Sequence, residues 1–252
     1  DDLNNKLYVY ELNDVLPEKS TIASIDLNNP EYWQTNSLLE LPQQRHHHNA
    51  FLDSKNSQFI VFGGFGNQSL TNEFNSYDIK TDIWEPLSFT GDVISPRYFS
   101  GLTELGENEL LLFGGQGNET GDPSIGKTYY YDCYKINLDT KKIQKLWETE
   151  RENVKLVSSR NLVITKDSSS FYTLGYPEYV TSTFLQLHEY SIKDGSYQIL
   201  GDSIPMISER IRTNANLYLN KETNQLFCTT QEFELDGSNK IRIYSLTIQD
   251  RN

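Results

Sequence analysis

The chain has 252 residues, 37% apolar and 12% aromatic, with 35 acidic against 22 basic side chains and a formal net charge of −13. That balance opposes nucleic-acid binding, which needs a basic footprint, and no apolar run reaches the roughly 18 residues a membrane-spanning helix requires. Sixteen Tyr and twelve Phe against one Met favour β structure.

The first expected element is the strand "KLYVYEL", which follows almost directly on the opening residues. "ASIDLNNPEYW" at 23–33 ends that region. From 45 the chain reads "RHHHNAFLD", "QFIVFGG", "EFNSYDI" and "WEPLS", four short strands bounded by turn residues. The next stretch gives "RYFSGLTEL", then "LLLFGG", the loop "QGNETGDPSIGKT" at 116–128, and "YKINLDTKKI". Later come "RNLVIT" and "HEYSIKDGSY", then "RTNANLYL" and "RIYSLTIQD".

One segment recurs through this series. Anchored on Leu27, Ile79, Leu138, Ile192 and Leu246, its copies lie 52, 59, 54 and 54 residues apart. An arginine opens the apolar strand of four units, at Arg45, Arg97, Arg160 and Arg212. A second apolar strand ends in Gly63-Gly64, then Gly114-Gly115, decaying later to Leu174-Gly175 and Thr229-Thr230. Four-stranded units near 50 residues indicate an all-β fold, a β-propeller of the kelch type. About five blades are represented, at approximately 1–40, 41–91, 92–150, 151–204 and 205–252, forming a single domain or fragment over 1–252. The first lacks its innermost strand and the last its outermost. An open ring leaves bare edges, so the expectation is a segment of a longer polypeptide whose remainder completes six or seven blades, with a five-bladed ring closed by these ends as the alternative.

The diglycines have a mechanical reading: positive φ and close backbone packing. A phosphate-cradling loop would lead from a strand into a helix and carry a Lys-Ser/Thr pair or a third spaced glycine. "FGGFGNQSLTNEF" leads into another strand and has no such Lys.

"RHHHNAF…FIVFGGFGN…NSYDIKTDIWEPL" and "PRYFSGL…LLLFGGQGN…YKINLDTKKIQKL" resemble kelch repeats of the galactose oxidase central-domain type. "YYYDCYKI" and "GDSIP" are similar to the propeller of multi-domain Bacteroidetes surface or sensor proteins. The resemblance spans nearly the whole chain and implies an extracytoplasmic setting, periplasmic or cell-surface. The copper set of the oxidases, tyrosine and histidine ligands with a cysteine joined to tyrosine, does not map here. Cys133 and Cys228 form no CxxC or zinc pattern. No cofactor and no metal are expected.

In such a blade the loops before the first strand and after the second share one face. That face is the candidate binding surface: Arg45, His46, His48, Arg97 and Tyr98, with Asn118, Glu119, Asp122 and Lys127 from the long loop. The competing reading makes the arginines structural, above all Arg160 and Arg212. Strand alternation turns His46 and His48 to one side and His47 to the other, so the three cannot share one ion. Tyr98, Tyr129, Tyr130, Tyr131 and Tyr176 are either sugar-stacking or core residues. Asn67 and Asn118 sit in glycosylation sequons. Asp92, Asp132 and Asp202 pair with no catalytic partner by spacing.

The expected function is a non-catalytic binding module of a larger extracytoplasmic protein, taking a protein or glycan. The alternatives are a carbohydrate-active propeller enzyme, oxidase- or epimerase-like, and an architectural spacer.

Overall fold

The computed structural model describes residues 1–12, 20–37, 45–66, 68–149, 156–177, 184–205, 215–233 and 236–248. Regular structure among them is strand, apart from one 3-10 turn at Pro123–Ile125. Among the described residues five larger sheets, each an antiparallel meander, follow one another along the chain, beside two small sheets formed by loop segments. The first joins Lys6–Leu12, Ser20–Asp26 and Gln34–Ser37. The second joins Asn49–Asp53, Gln58–Phe62, Phe74–Asp78 and Ile83–Leu87 in sequence order. The third is built from Gly101–Gly106, Glu109–Phe113, Asp132–Asn137 and Lys142–Glu148. Its outer strand also pairs in parallel with Thr90–Gly91. The fourth sheet has four strands between Leu156 and Pro205, and the fifth three between Ala215 and Thr247.

Each sheet is a meander because its turns are written into the sequence. Asp78 Oδ1 accepts from the backbone N–H of Lys80 (2.8 Å) and Thr81 (3.0 Å). Asn137 does the same for Asp139 and Thr140, and Asn220 for Glu222 and Thr223. These side chains replace the turn's missing backbone partners. Several aspartates do the same in other turns. The donors hold the exposed carboxyls of Asp78, Asp167, Asp194 and Asp236 below the usual carboxylate range.

The middle strands carry the core. Phe59, Ile60, Val61 and Phe62 are buried, as are Leu110, Leu111, Leu112 and Phe113. Burial on both faces explains why these two strands read as unbroken apolar runs rather than alternating ones.

The described chain divides into two compact units. One comprises Asp1–Phe89, Val93–Phe99 and Gln116–Thr128. Its core gathers Ile22, Phe59, Val61 and Tyr77, flanked by Tyr8, Tyr10, Leu52 and Trp84. The other comprises Thr90–Asp92, Ser100–Gly115 and Tyr129–Asn252. There the third and fourth sheets meet through Leu111, Phe113, Cys133, Leu162 and Phe171. Trp147 clasps them: its ring lies parallel to Phe171 (1°), and its Nε1 donates to the Ile192 carbonyl at 2.8 Å.

Both diglycines adopt positive φ, with Gly63 at 64° and Gly114 at 65°. A Cβ on Gly63 would lie 2.7 Å from the Arg97 carbonyl oxygen. Gly63→Ala is expected to cost about 2–4 kcal/mol, from left-handed backbone strain plus displacement of that carbonyl. Chemical denaturation checks it; an unchanged midpoint would contradict the close approach.

Candidate functional site

Three loops of the first unit are stitched into one surface. His46 and Phe65 exchange backbone hydrogen bonds at 2.8 and 2.9 Å. Arg97–Tyr98 pairs antiparallel with Gln116–Gly117. The N–H of Gly64 donates to the Arg97 carbonyl (2.8 Å), that of Leu70 to Gly121 (2.7 Å), and that of Phe99 to His47 (3.1 Å). The starts of two successive units and the segments after two successive diglycines thus converge, as the common-face expectation requires. All nine candidate residues lie in this unit.

They do not play equal parts. Arg45 and Arg97 are both 0% exposed. Arg45 Nη1 donates to the carbonyls of Gly63 (3.3 Å) and Glu73 (3.2 Å), and Nη2 to Asn75 Oδ1. Arg97 Nε donates to the Ser95 carbonyl at 3.0 Å. The Arg45 guanidinium bonds backbone oxygens beside the end of the diglycine strand and that of Arg97 bonds a carbonyl just ahead of its own strand, so both shape the face from beneath. The side chain of Arg160, and Arg212 altogether, lie outside the described residues.

The histidine run departs from strand alternation. The regular strand begins only at Asn49, and His47 has φ 58°. That left-handed residue swings its ring onto the side of His46: the rings are 4.3 Å apart and in Nδ1–Nδ1 contact. His48 turns inward instead and meets Tyr10 edge-on at 4.6 Å. The expectation that His46 and His48 share a side is therefore corrected. Burial, reinforced by the Arg45 charge, pushes the His48 pKa down to about 4.

The long loop is half structure and half surface. Gln116, Gly117 and Gly121 are buried, while 122–128 is exposed throughout. A Cβ on Gly117 would sit 2.0 Å from the Pro96 carbonyl oxygen, so this glycine allows close contact rather than flexibility. Asn118 is spent inside the loop: Nδ2 donates to the carbonyls of Asp122 (2.8 Å) and Gly126 (2.7 Å), and Oδ1 accepts from Thr120. Asp122 caps the 3-10 turn through Ser124 (2.8 Å), which lowers its carboxyl pKa. Glu119 and Lys127 are exposed. Replacing 122–127 with a short Gly-containing turn is expected to cost about 1 kcal/mol or less. Replacing 116–121 is expected to cost more, through lost pairing to Arg97–Tyr98. Thermal melts of the two variants check the split.

Sequence reasoning missed three residues of this face. Phe65 lies 5.1 Å from His46, and Phe99 4.3 Å from His47 and 4.7 Å from Tyr98. Phe99 also has positive φ, 60°. Such backbone is rare for a bulky residue. The signal was an aromatic at corresponding places: two after Arg97, two after Arg45, and one after the diglycine.

A kelch-repeats domain model, described for KLHDC2, KLHL20 and DRC7, matches residues 3–222. The chain belongs to this kelch-repeat family. Its architecture is accordingly propeller-type. The solved structure of YjhT is similar in fold, with a TM-score of 0.61 over 92% of this chain and 71% of that chain, at 13% identity. The comparison with curated proteins found no match.

Elsewhere in this kelch domain, the other singled-out residues fall mainly in packing. Tyr131 is 3% exposed and belongs to the core of the second unit; Tyr129 and Tyr130 are half-buried. Tyr98 is half-buried at the face, and the Tyr176 and Asp202 side chains lie outside the described residues, as does Asn67. Cys133 and Cys228 are free and fully buried, and burial raises both thiol pKa values. Asp132 is buried and accepts from the Tyr134 hydroxyl at 3.0 Å; Asp92 accepts from the Lys145 N–H at 2.7 Å. His188 is 2% exposed, lying nearly parallel to Tyr197. Among the described residues, no three His, Cys, Asp or Glu side chains are grouped to hold a metal.

Proposed function

We propose that this kelch domain is a non-catalytic binding module that takes its partner on the stitched loop face. The observation that carries the reading is the backbone network joining His46–Phe65, Gly64–Arg97, Tyr98–Gln116 and Leu70–Gly121. A surface made of three loops but fixed by main-chain bonds is preorganised, which lowers the entropy lost on binding. Rings stand on it, and aromatic side chains dominate binding energetics.

The likeness to galactose oxidase central domains and to Bacteroidetes surface or sensor proteins belongs to the same proposal, as does the extracytoplasmic setting. The partner is a protein or a glycan. The test is a glycan array and an affinity capture with the full-length protein, alongside a copper and sugar-turnover screen. Specific retention lost in Tyr98→Ala, without turnover, is the expected result. Stoichiometric copper or sugar turnover abolished by His46→Ala would overturn it in favour of an enzyme. Absence of any ligand would favour an architectural spacer.

A further inference from the structure

His46 and His47 bring their Nδ1 atoms into direct contact, with ring centroids 4.3 Å apart and planes at 83°. Neighbouring side chains in extended backbone point to opposite sides. Here the left-handed His47, φ 58°, turns its ring back onto His46. Such backbone costs roughly 1–3 kcal/mol, and strain of this kind gathers at functional sites. His48, the third of the run, takes no part, since it is turned inward against Tyr10.

The pair is held in place from both ends. The His46 backbone exchanges hydrogen bonds with Phe65 (2.8 and 2.9 Å), and the His47 carbonyl accepts from the Phe99 N–H (3.1 Å). The Phe65 and Phe99 rings flank the imidazoles, 5.1 Å from His46 and 4.3 Å from His47. His46 is exposed and His47 half-buried, so solvent reaches the pair. A neutral imidazole carries one N–H and one lone pair. Two facing Nδ1 atoms are therefore reconciled by a shared proton or by a shared cation. Exposed imidazoles can take their hydrogen bonds from water, so a shared proton alone gives no account of the strained His47.

The electrostatic setting admits a cation. Arg45, in the same run, opposes one; the Glu73 carboxylate, near enough to act on Arg45, offsets it, and the chain as a whole carries −13. We infer that His46 and His47 form a two-imidazole site for a divalent cation of the zinc class. Imidazole suits zinc and nickel, whereas magnesium and calcium prefer oxygen ligands. Zinc takes nitrogen ligands in tetrahedral sets, so the positions the pair does not fill go to water, and the ion is exchangeable. This site does not rest on the binding-module reading, because the protein alone retains the ion.

The experiment titrates the metal-free protein, carrying no histidine tag, with Zn²⁺ at pH 7.5 by calorimetry, with Mg²⁺ in a parallel arm. Saturable binding of Zn²⁺ and none of Mg²⁺ is expected. His46→Ala and His47→Asn should each weaken zinc about tenfold or more, asparagine being chosen because it tolerates left-handed backbone. His188→Gln, at a buried ring elsewhere, should leave binding unchanged. In NMR spectra the carbon-bound imidazole protons of His46 and His47 should shift with zinc while those of His188 stay. Acidification to about pH 5 should release the ion, since protons compete for the same nitrogens. Thermal melts run beside each titration; should His47→Asn unfold, His46→Ala and the imidazole shifts carry the result. No saturation would leave the pair sharing only a proton, zinc binding that survives both substitutions would lie elsewhere, and magnesium bound as well as zinc would be general charge attraction. Each of these overturns the site and leaves the binding-module reading to its own test. Copper would enter the same nitrogens, so copper argues for an enzyme only where turnover accompanies it.

Discussion

Arg45→Met is expected to destabilise the protein by about 2–5 kcal/mol, because it strips one charged donor from three acceptors at once. The guanidinium holds the buried carbonyl of Gly63, the buried amide oxygen of Asn75 and the part-buried carbonyl of Glu73. Methionine fills much of the volume and leaves those acceptors bare, and each unsatisfied buried group costs about 1–3 kcal/mol. The loss concerns stability because the side chain is 0% exposed and offers nothing to a ligand. Urea denaturation of Arg45→Met beside Glu85→Ala, an exposed outer-strand control, measures it. A shift no larger than that of the control would mean that the buried network contributes little.

Acidification from pH 7.5 to 4.5 is expected to lower stability by several kcal/mol, before the carboxylates of the turns titrate. Burial holds His48 and His188 near pKa 4, against an ordinary value of 6.5. Above that value both histidines are neutral in either state, so nothing changes. Between about 6.5 and 4 the unfolded chain binds protons that the folded chain refuses, and stability falls as pH falls. Each histidine contributes roughly 2–3 kcal/mol across the window. His188→Gln should remove its share of the slope, and His48→Gln the other. A stability flat between pH 7.5 and 4.5 would show that protons reach both rings without unfolding.

The blade pattern was open to reading because it repeats. Turn residues such as Asp78 and Asn137 recur at nearly fixed steps, and apolar runs such as 59–62 and 110–113 end on diglycines whose positive φ was expected. The loop face was open to reading only in outline, since chain alternation says which loops share a side but not how they touch. His47 was misread because alternation applies only within a strand, and this run precedes one. Gly117 is a packing residue, with a carbonyl 2.0 Å from its Cβ position, and no spacing in the sequence announces that contact. Sequence left Arg45 and Arg97 open between a structural and a binding role, because a long side chain suits both a buried carbonyl cage and a solvent-facing contact; the structure buries both. Phe65 and Phe99 were passed over as ordinary apolar residues; only the folded loops bring them into one cluster.

The central claim is that the stitched loops, and no other part of the domain, meet the partner. Hydrogen–deuterium exchange of the full-length protein, alone and with the ligand retained in the affinity capture, tests it most directly. The account predicts added protection at residues 46–48, 64–72 and 96–99, with the sheets of the second unit unchanged. Protection confined to the strands between Leu156 and Pro205, with the loop face unaltered, would contradict it.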